Sequence, residues 1–169
     1  MSAGESRLPG GAPQGRMYRP SSRFFRLDHL RQLRGSEQVA AVCYRVRKSG
    51  IEFLLVQTRG GRWIFPKGSV EPGLTHAQAA ALEAFEEAGV VGAVAKRSVG
   101  SFSYEKRLKN GGVVVCEVRV FPLEVRRQNK QWPEKQERVV KWLSAPRAAE
   151  KVKEPKLSAI ILRLARRYD

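Results

Sequence analysis

Three carboxylates in the stretch "LEAFEEAGV", residues 82–90, have a spacing that can do chemistry. Glu83, Glu86 and Glu87 stand at i, i+3 and i+4, so a helix carries them on one face, within an arc of about 100°. Gly89 follows at once and reads as the residue that ends the helix. The anions therefore crowd the end where the helix macrodipole is already negative. Like charges at this spacing also repel by a few tenths of a kcal/mol. The rest of the chain is cationic, with 32 Lys+Arg against 16 Asp+Glu and a net charge of +16. Yet no Lys or Arg lies between Lys67 and Lys96, where this composition would place roughly five. The lack of a local counter-ion points to a cation supplied from outside. Carboxylate oxygens suit a hard divalent ion. Mg²⁺ fits best, with Mn²⁺ as a substitute, because it takes one or two protein carboxylates and fills its shell with water and substrate phosphates. An acidic helix face left in solvent is the alternative use of the same motif.

The elements that must position these groups follow from periodicity. Thr75 is a good N-cap for a helix over 76–88, with Ala77, Ala80, Ala81, Ala84 and Ala88 as small packing residues. The loop before it, "SVEPGLTH" (69–76), is rich in Pro and Gly, and Glu71 within it reads as a solvated charge. Strands are expected over 38–46 and 51–59, joined by "RKSG". A short strand, "RWIFPKG" (62–68), leads into the loop. Residues 92–107 read as a strand with an irregular centre, and "KNGG" (109–112) as a hairpin turn. A long strand over 113–125, a basic loop over 126–137 and a strand over 138–144 follow. Helices over 145–152 and 155–168 close the chain. This order implies an α/β sandwich with a mixed sheet between helices. Ahead of it, residues 1–22 read as a disordered basic tail and 23–37 as an amphipathic lead-in, leaving 38–169 as the domain.

The stretch "GSVEPGLTHAQAAALEAFEEAGV" (68–90) resembles the Nudix box, G-x5-E-x7-R-E-U-x-E-E-x-G-U, in which U is a bulky apolar residue. Gly68, Glu83, Glu86, Glu87, Gly89 and Val90 fall on that pattern without a gap. Three positions depart from it: Leu74 stands for the first Glu, Leu82 for the Arg, and Ala84 for a bulkier apolar residue. The first two departures remove opposite charges together, so neither is left without a partner. Exchanging a buried ion pair for apolar packing can be neutral or stabilising. The resemblance implies the Nudix α/β/α sandwich, a loop–helix–loop box and hydrolysis of a phosphoanhydride. It also implies Glu83 and Glu87 as metal ligands with the Gly68 carbonyl, and Glu86 as a further ligand or general base. Glu105 or Glu137 could supply the base from another loop.

"FPKG", "EAFEEAGVVG" and "WPEKQERVVKW" resemble the diphosphoinositol polyphosphate phosphohydrolase-like branch, which also acts on dinucleoside polyphosphates. That branch has phosphate-binding residues where Thr58 and Arg59 stand here, but its basic cluster before the first core strand is replaced by "SEQ" (36–38). The expected substrate is therefore a nucleoside or dinucleoside polyphosphate, or another polyphosphorylated metabolite. Arg59, Arg62 and Lys67 beside the box, with Lys106, Arg107 and Lys109 at the hairpin and Arg126, Arg127 and Lys130 in the basic loop, are the candidate phosphate contacts. Trp63 reads as core, whereas Trp132 and Tyr104 are candidates for stacking on a base.

Composition narrows the rest. A sequence pI near 10.6 points to polyanionic partners. Between residues 126 and 167 there are 13 basic against four acidic residues, which keeps RNA as a possible partner and a weakly catalytic binding module as the alternative function. Cys43 and Cys116 lie apart in apolar runs and read as buried free thiols, and no metal-binding Cys/His spacing occurs. No apolar run reaches the ~20 residues that span a membrane. The expected location is cytoplasmic, with organelle targeting by the Arg-rich N-terminus as the alternative, and the expected state is a monomer or homodimer.

Overall fold

A computed structural model describes residues 37–169. The readings of residues 1–22 as a tail and of 23–36 as a lead-in lie outside the described residues. Eight strands and three helices follow in order: β1 (Glu37–Arg47), β2 (Gly50–Gln57), β3 (Trp63–Ile64), β4 (Lys67–Ser69), α1 (His76–Ala88), β5 (Val90–Val94), β6 (Gly100–Arg107), β7 (Val113–Gln128), β8 (Val140–Ser144), α2 (Ala145–Lys151) and α3 (Pro155–Ala165).

All eight strands share one mixed sheet, with β3-β2-β1-β7-β5 as its spine and β4, β6 and β8 paired to β1, β7 and β2. β1 is its centre. It runs parallel to β7 along Glu37–Tyr44 and antiparallel to β2 and β4. A strand covered on both faces needs apolar residues at every position, and "VAAVCY" (39–44) supplies them. Val39, Ala41 and Cys43 face α1 with Leu54, Val56, Phe121 and Leu123. Ala40, Val42 and Tyr44 face the opposite layer of α2 and α3 with Phe53, Leu55, Leu157 and Ile161. The α/β/α sandwich is thus built as expected, and among the described residues the box helix is the one helix on its face.

Several elements differ from their expected bounds: the short strand expected over 62–68 is two strands, β3 and β4, and the helix expected over 155–168 ends at Ala165. Glu37 already belongs to β1. Residues 92–107 form two strands, because β5 pairs the C-terminal half of β7 and β6 the N-terminal half, so the chain must break between them. β7 continues to Gln128 rather than ending at Val125, since β5 supplies hydrogen-bonding partners to the polar residues Arg127 and Gln128. β8 starts at Val140 instead of Arg138. Small residues set the spacing of α1 from the sheet: Ala80, Ala84 and Ala88 are fully buried. Ala84 is small because the helix backbone lies close to β1. Leu82 is buried and Leu74 packs against the core cluster beneath α1, so apolar side chains occupy both departures from the box pattern.

A register shift between Val91 and Gly92 marks a bulge against β7. A Cβ at Gly92 would lie 1.9 Å from the Glu124 carbonyl oxygen, a backbone atom that cannot step aside. Gly92→Ala is therefore expected to destabilise the fold by at least about 2 kcal/mol, read as a fall in the urea midpoint, with Gly60→Ala, where an added Cβ would come no nearer than 3.9 Å to a neighbouring atom, as the milder control.

Candidate active site

The box helix is sealed at both ends. Thr75 accepts from the Gln78 backbone N–H at 3.1 Å, and Gln78 accepts from the Thr75 N–H at 2.9 Å, a complete capping box. At the other end Gly89 takes φ 69°, the left-handed turn that glycine adopts without cost. The end of β7 and the segment after it then satisfy the carbonyls at the end of the helix. Glu134 N–H donates to Glu86 O at 3.0 Å, Trp132 Nε1–H to Glu87 O at 3.2 Å, Gln128 Nε2–H to Ala88 O at 3.0 Å and Asn129 N–H to Gly89 O at 2.8 Å. The Trp132 ring covers Gly89 so closely that an added Cβ would sit 2.4 Å from it. Its indole N–H is thus committed to the helix end.

This scaffold holds all three box carboxylates out of solvent: Glu83, Glu86 and Glu87 are 4%, 5% and 4% exposed. Glu83 lies against the backbone of Gly68 in β4, where an added Cβ would fall 2.2–2.5 Å from its carboxylate atoms. Only glycine at 68 leaves room for that approach. Glu87 accepts a hydrogen bond from the Lys67 backbone N–H. Arg138 approaches Glu87 Oε1 at 3.7 Å, too far for a hydrogen bond, and Glu87 Oε2 and Arg138 Nε are both buried without a hydrogen-bond partner. Burial pushes the Glu87 carboxyl up to about 8. Arg138 and Lys67 pull it down and Glu134 pushes it further up, but burial dominates.

Lys67 completes the neighbourhood. Its ammonium donates to the Tyr104 hydroxyl at 2.8 Å and approaches Gln38 Oε1 at 3.4 Å, and the Tyr104 hydroxyl donates to Gln38 Oε1 at 2.6 Å. Burial lowers Lys67 to about 8, opposed by Glu87 and reinforced by Lys106 and Arg138. Tyr104 is held here by Lys67 and Gln38 and packs against the core.

Among the described residues no three His, Cys, Asp or Glu side chains form a ready-made metal cage. The donor set that does exist is narrower: the Glu83 carboxylate at the Gly68 backbone, and the orphaned buried Oε2 of Glu87. It fits an ion that needs few protein ligands and keeps water or phosphate in its remaining positions, as Mg²⁺ does.

The other expected contacts divide. Lys106 is exposed on β6, and its charge bears on Lys67. Arg107 is exposed at the end of the same strand and Lys109 in the hairpin turn. Arg59 is exposed and lies 3.8 Å from Glu137, so the two expected roles of these residues meet in one loose ion pair. Arg62 pairs with Glu154 at the start of α3, on the layer opposite the box helix. Thr58 uses its hydroxyl to accept from the Arg62 N–H at 3.1 Å, closing the β2–β3 turn. Trp63 packs on the core as expected. Arg126 and Arg127 are exposed on β7 rather than in a loop, Lys130 is exposed beyond it, and Glu105 is exposed on β6. Glu71 is buried, not solvated. The structure adds Gln38, Glu134 and Arg138 to the site. Within "WPEKQER" only the i, i+4 spacing of Glu134 and Arg138 could have marked them, and a loop gives that spacing no meaning.

The family model of the NUDIX domain matches residues 36–164. The chain belongs to the Nudix family. It is 36% identical over 117 residues to Nudix hydrolase 21, chloroplastic, of Arabidopsis thaliana, covering 66% of this chain and 57% of that protein. It is 31% identical over 109 residues to Nudix hydrolase 16, mitochondrial, of the same plant, covering 62% and 60%. The Nudix chain thus spans less than two thirds of the length of these relatives. A C. elegans Ap4A hydrolase shares the fold with TM-score 0.60 and 23% identity, over 76% of this chain and 94% of that one. An E. coli dihydroneopterin triphosphate pyrophosphohydrolase does so with TM-score 0.58 and 23% identity, over the same shares. No helix among the described residues is long and apolar enough to cross a membrane.

The raised Glu87 carboxyl makes a stability prediction. Its folded pKa lies near 8, above the ordinary unfolded value, so the folded state binds the extra proton and stability falls as pH rises from about 4.5 to 8. In chelator, thermal unfolding should show that decline, and Glu87→Gln should flatten it and melt several degrees higher at pH 8. A parallel decline in both proteins would show that Glu87 is not its source.

Proposed function

We propose that this Nudix domain hydrolyses a phosphoanhydride bond in a nucleoside or dinucleoside polyphosphate or a diphosphoinositol polyphosphate, with Mg²⁺ as cofactor. The observation that carries the reading is the carboxylate pair around β4: Glu83 pressed on the Gly68 backbone and Glu87 buried with an oxygen that has no hydrogen-bond partner. Two acids held in low dielectric at a negative helix end are costly unless a cation meets them. Bound there, the metal would screen the phosphate charge and acidify a water.

The chain's own residues do the rest. Glu83 and Glu87 hold the metal, with the Gly68 carbonyl beside them, and Glu86 serves as a further ligand or as the base that takes the proton from the attacking water. Lys67 places positive charge next to Glu87, with Lys106 bearing on Lys67, where developing charge on the leaving phosphate needs it. Their neutral neighbours Gln38 and Tyr104 fix the Lys67 ammonium in one place.

A second reading rests on charge. The 13 basic residues against four acidic ones between 126 and 167 suit a module that binds nucleotide or RNA without turning it over. Tight binding across many phosphoanhydrides with no turnover, and a steep loss of affinity with salt, would favour it.

The discriminating assay is a panel of diadenosine polyphosphates, nucleoside triphosphates, capped RNA and diphosphoinositols with Mg²⁺ and Mn²⁺. Turnover should require the metal, and Glu83→Gln or Glu87→Gln should lower kcat by at least about 100-fold. Gly68→Ala should fold, because the added methyl meets the far end of a flexible side chain. It should nonetheless bind Mn²⁺ about tenfold or more weakly, measured by electron paramagnetic resonance. Unchanged Mn²⁺ affinity would remove Glu83 from the ligand set.

A further inference from the structure

We propose that Arg138 is the residue that grips the substrate phosphate beside the Glu87 carboxylate. The inference rests on the phosphoanhydride reading above and adds to it a residue that the box pattern does not contain.

The two orphaned atoms of the site belong to the two halves of one ion pair. Arg138 Nε and Glu87 Oε2 are both buried without a hydrogen-bond partner, although the guanidinium and the carboxylate lie 3.7 Å apart. A guanidinium presents a planar fork of donors that matches a carboxylate or a phosphate in two parallel bonds. Arg138 does not use that fork on Glu87. The pair is loose, and each member keeps an unmet valence: the carboxylate wants a cation, the guanidinium an anion. A metal diphosphate supplies both, leaving charges that alternate from carboxylate to metal to phosphate to guanidinium.

The other basic side chain placed by Glu87 is already engaged. Lys67 donates to the Tyr104 hydroxyl and approaches Gln38. Arg59 and Arg62 are drawn to Glu137 and Glu154. Arg138 alone among these four has a buried donor without an acceptor.

The backbone fixes where that donor sits. Arg138 N–H donates to Glu134 O at 3.1 Å, while Glu134 N–H donates to Glu86 O at 3.0 Å. On its other side Val139 O accepts from the Gln57 N–H of β2 at 2.9 Å. Trp132 bonds the same helix turn through Glu87 O. The loop from 129 to 138 and the last turn of α1 are therefore one unit, and the distance from Arg138 to the metal carboxylates is set by main-chain bonds. Such pre-organisation is what a phosphate-positioning arginine needs.

The test uses the full chain with Mn²⁺ and methylenediphosphonate, a P–C–P analogue that cannot be hydrolysed, and compares wild type with Arg138→Ala and Arg138→Lys. Mn²⁺ binding is read by electron paramagnetic resonance and diphosphonate binding by calorimetry at saturating Mn²⁺. Arg138→Ala should keep its Mn²⁺ affinity within about threefold and lose diphosphonate affinity by about tenfold or more. Arg138→Lys should recover part of it. On whichever phosphoanhydride the wild type cleaves, Arg138→Ala should raise KM more than it lowers kcat. Wild-type diphosphonate affinity in a folded Arg138→Ala protein overturns the proposal. So does an equal loss of Mn²⁺ and diphosphonate binding, which would make Arg138 a prop for Glu87, and so does a wild type that takes up no diphosphonate with Mn²⁺. Should Arg138→Ala not fold, Arg138→Lys decides on the same readouts: diphosphonate affinity equal to wild type overturns the proposal, and a selective loss supports it. A wild type that cleaves nothing on the panel refutes the hydrolase reading by itself, while the binding comparison still decides the role of Arg138.

Discussion

Buried negative charge at the negative end of a helix is the constraint on which the site depends. Glu83, Glu86 and Glu87 are nearly excluded from water, and the peptide dipoles of α1 oppose them. A helix end in that position should fray, yet here four main-chain carbonyls from Glu86 to Gly89 receive donors from the segment 128–134. That clamp lets the fold hold carboxylates where solvent would otherwise be needed. The positive surroundings complete the arrangement: Lys67 and Arg138 offset Glu87, and burial still dominates its protonation. Strain of this kind is retained in proteins where a ligand relieves it.

The glycines at the site have separate reasons for being glycine. Gly89 must turn left-handed and accept the Trp132 ring. Gly68 must leave space for the Glu83 carboxylate. The first requirement ends the box helix, and the second brings β4 to it, so the box pattern records two close approaches of backbone to side chain. Leu74 and Leu82, which replace the family's charged pair, occupy buried or partly buried positions. The departure from the pattern therefore changes what packs around the box and leaves its carboxylates in place.

Much of this was legible in the sequence because it depends on local rules. Thr75 and Gly89 bracket a helix whose alanine spacing fits a sheet, and the structure places α1 over the expected residues. The apolar, β-rich runs of β1 and β2, joined by the turn "RKSG", read as strands. What could not be read depends on partners distant in sequence. Residues 92–107 split because the two halves of β7 pair with different strands. Arg127 and Gln128 look like loop residues and are strand because β5 lies beside them. Arg62, next to the box in sequence, is drawn to Glu154 across 92 positions, and Glu71 is buried where its Pro/Gly-rich surroundings suggested solvent. Arg138 was invisible for the same reason: nothing in "KQERVV" announces a contact with Glu87.

We propose that Glu87 and its neighbours trade a bound proton for a metal ion. Calorimetric titration of Mg²⁺ into the protein at pH 7, repeated in buffers of different ionisation enthalpy, tests it most directly. With the Glu87 carboxyl near 8, binding should release about one proton, so the apparent enthalpy should change from buffer to buffer. Heat that does not vary with the buffer, or no saturable heat at all, would contradict the account.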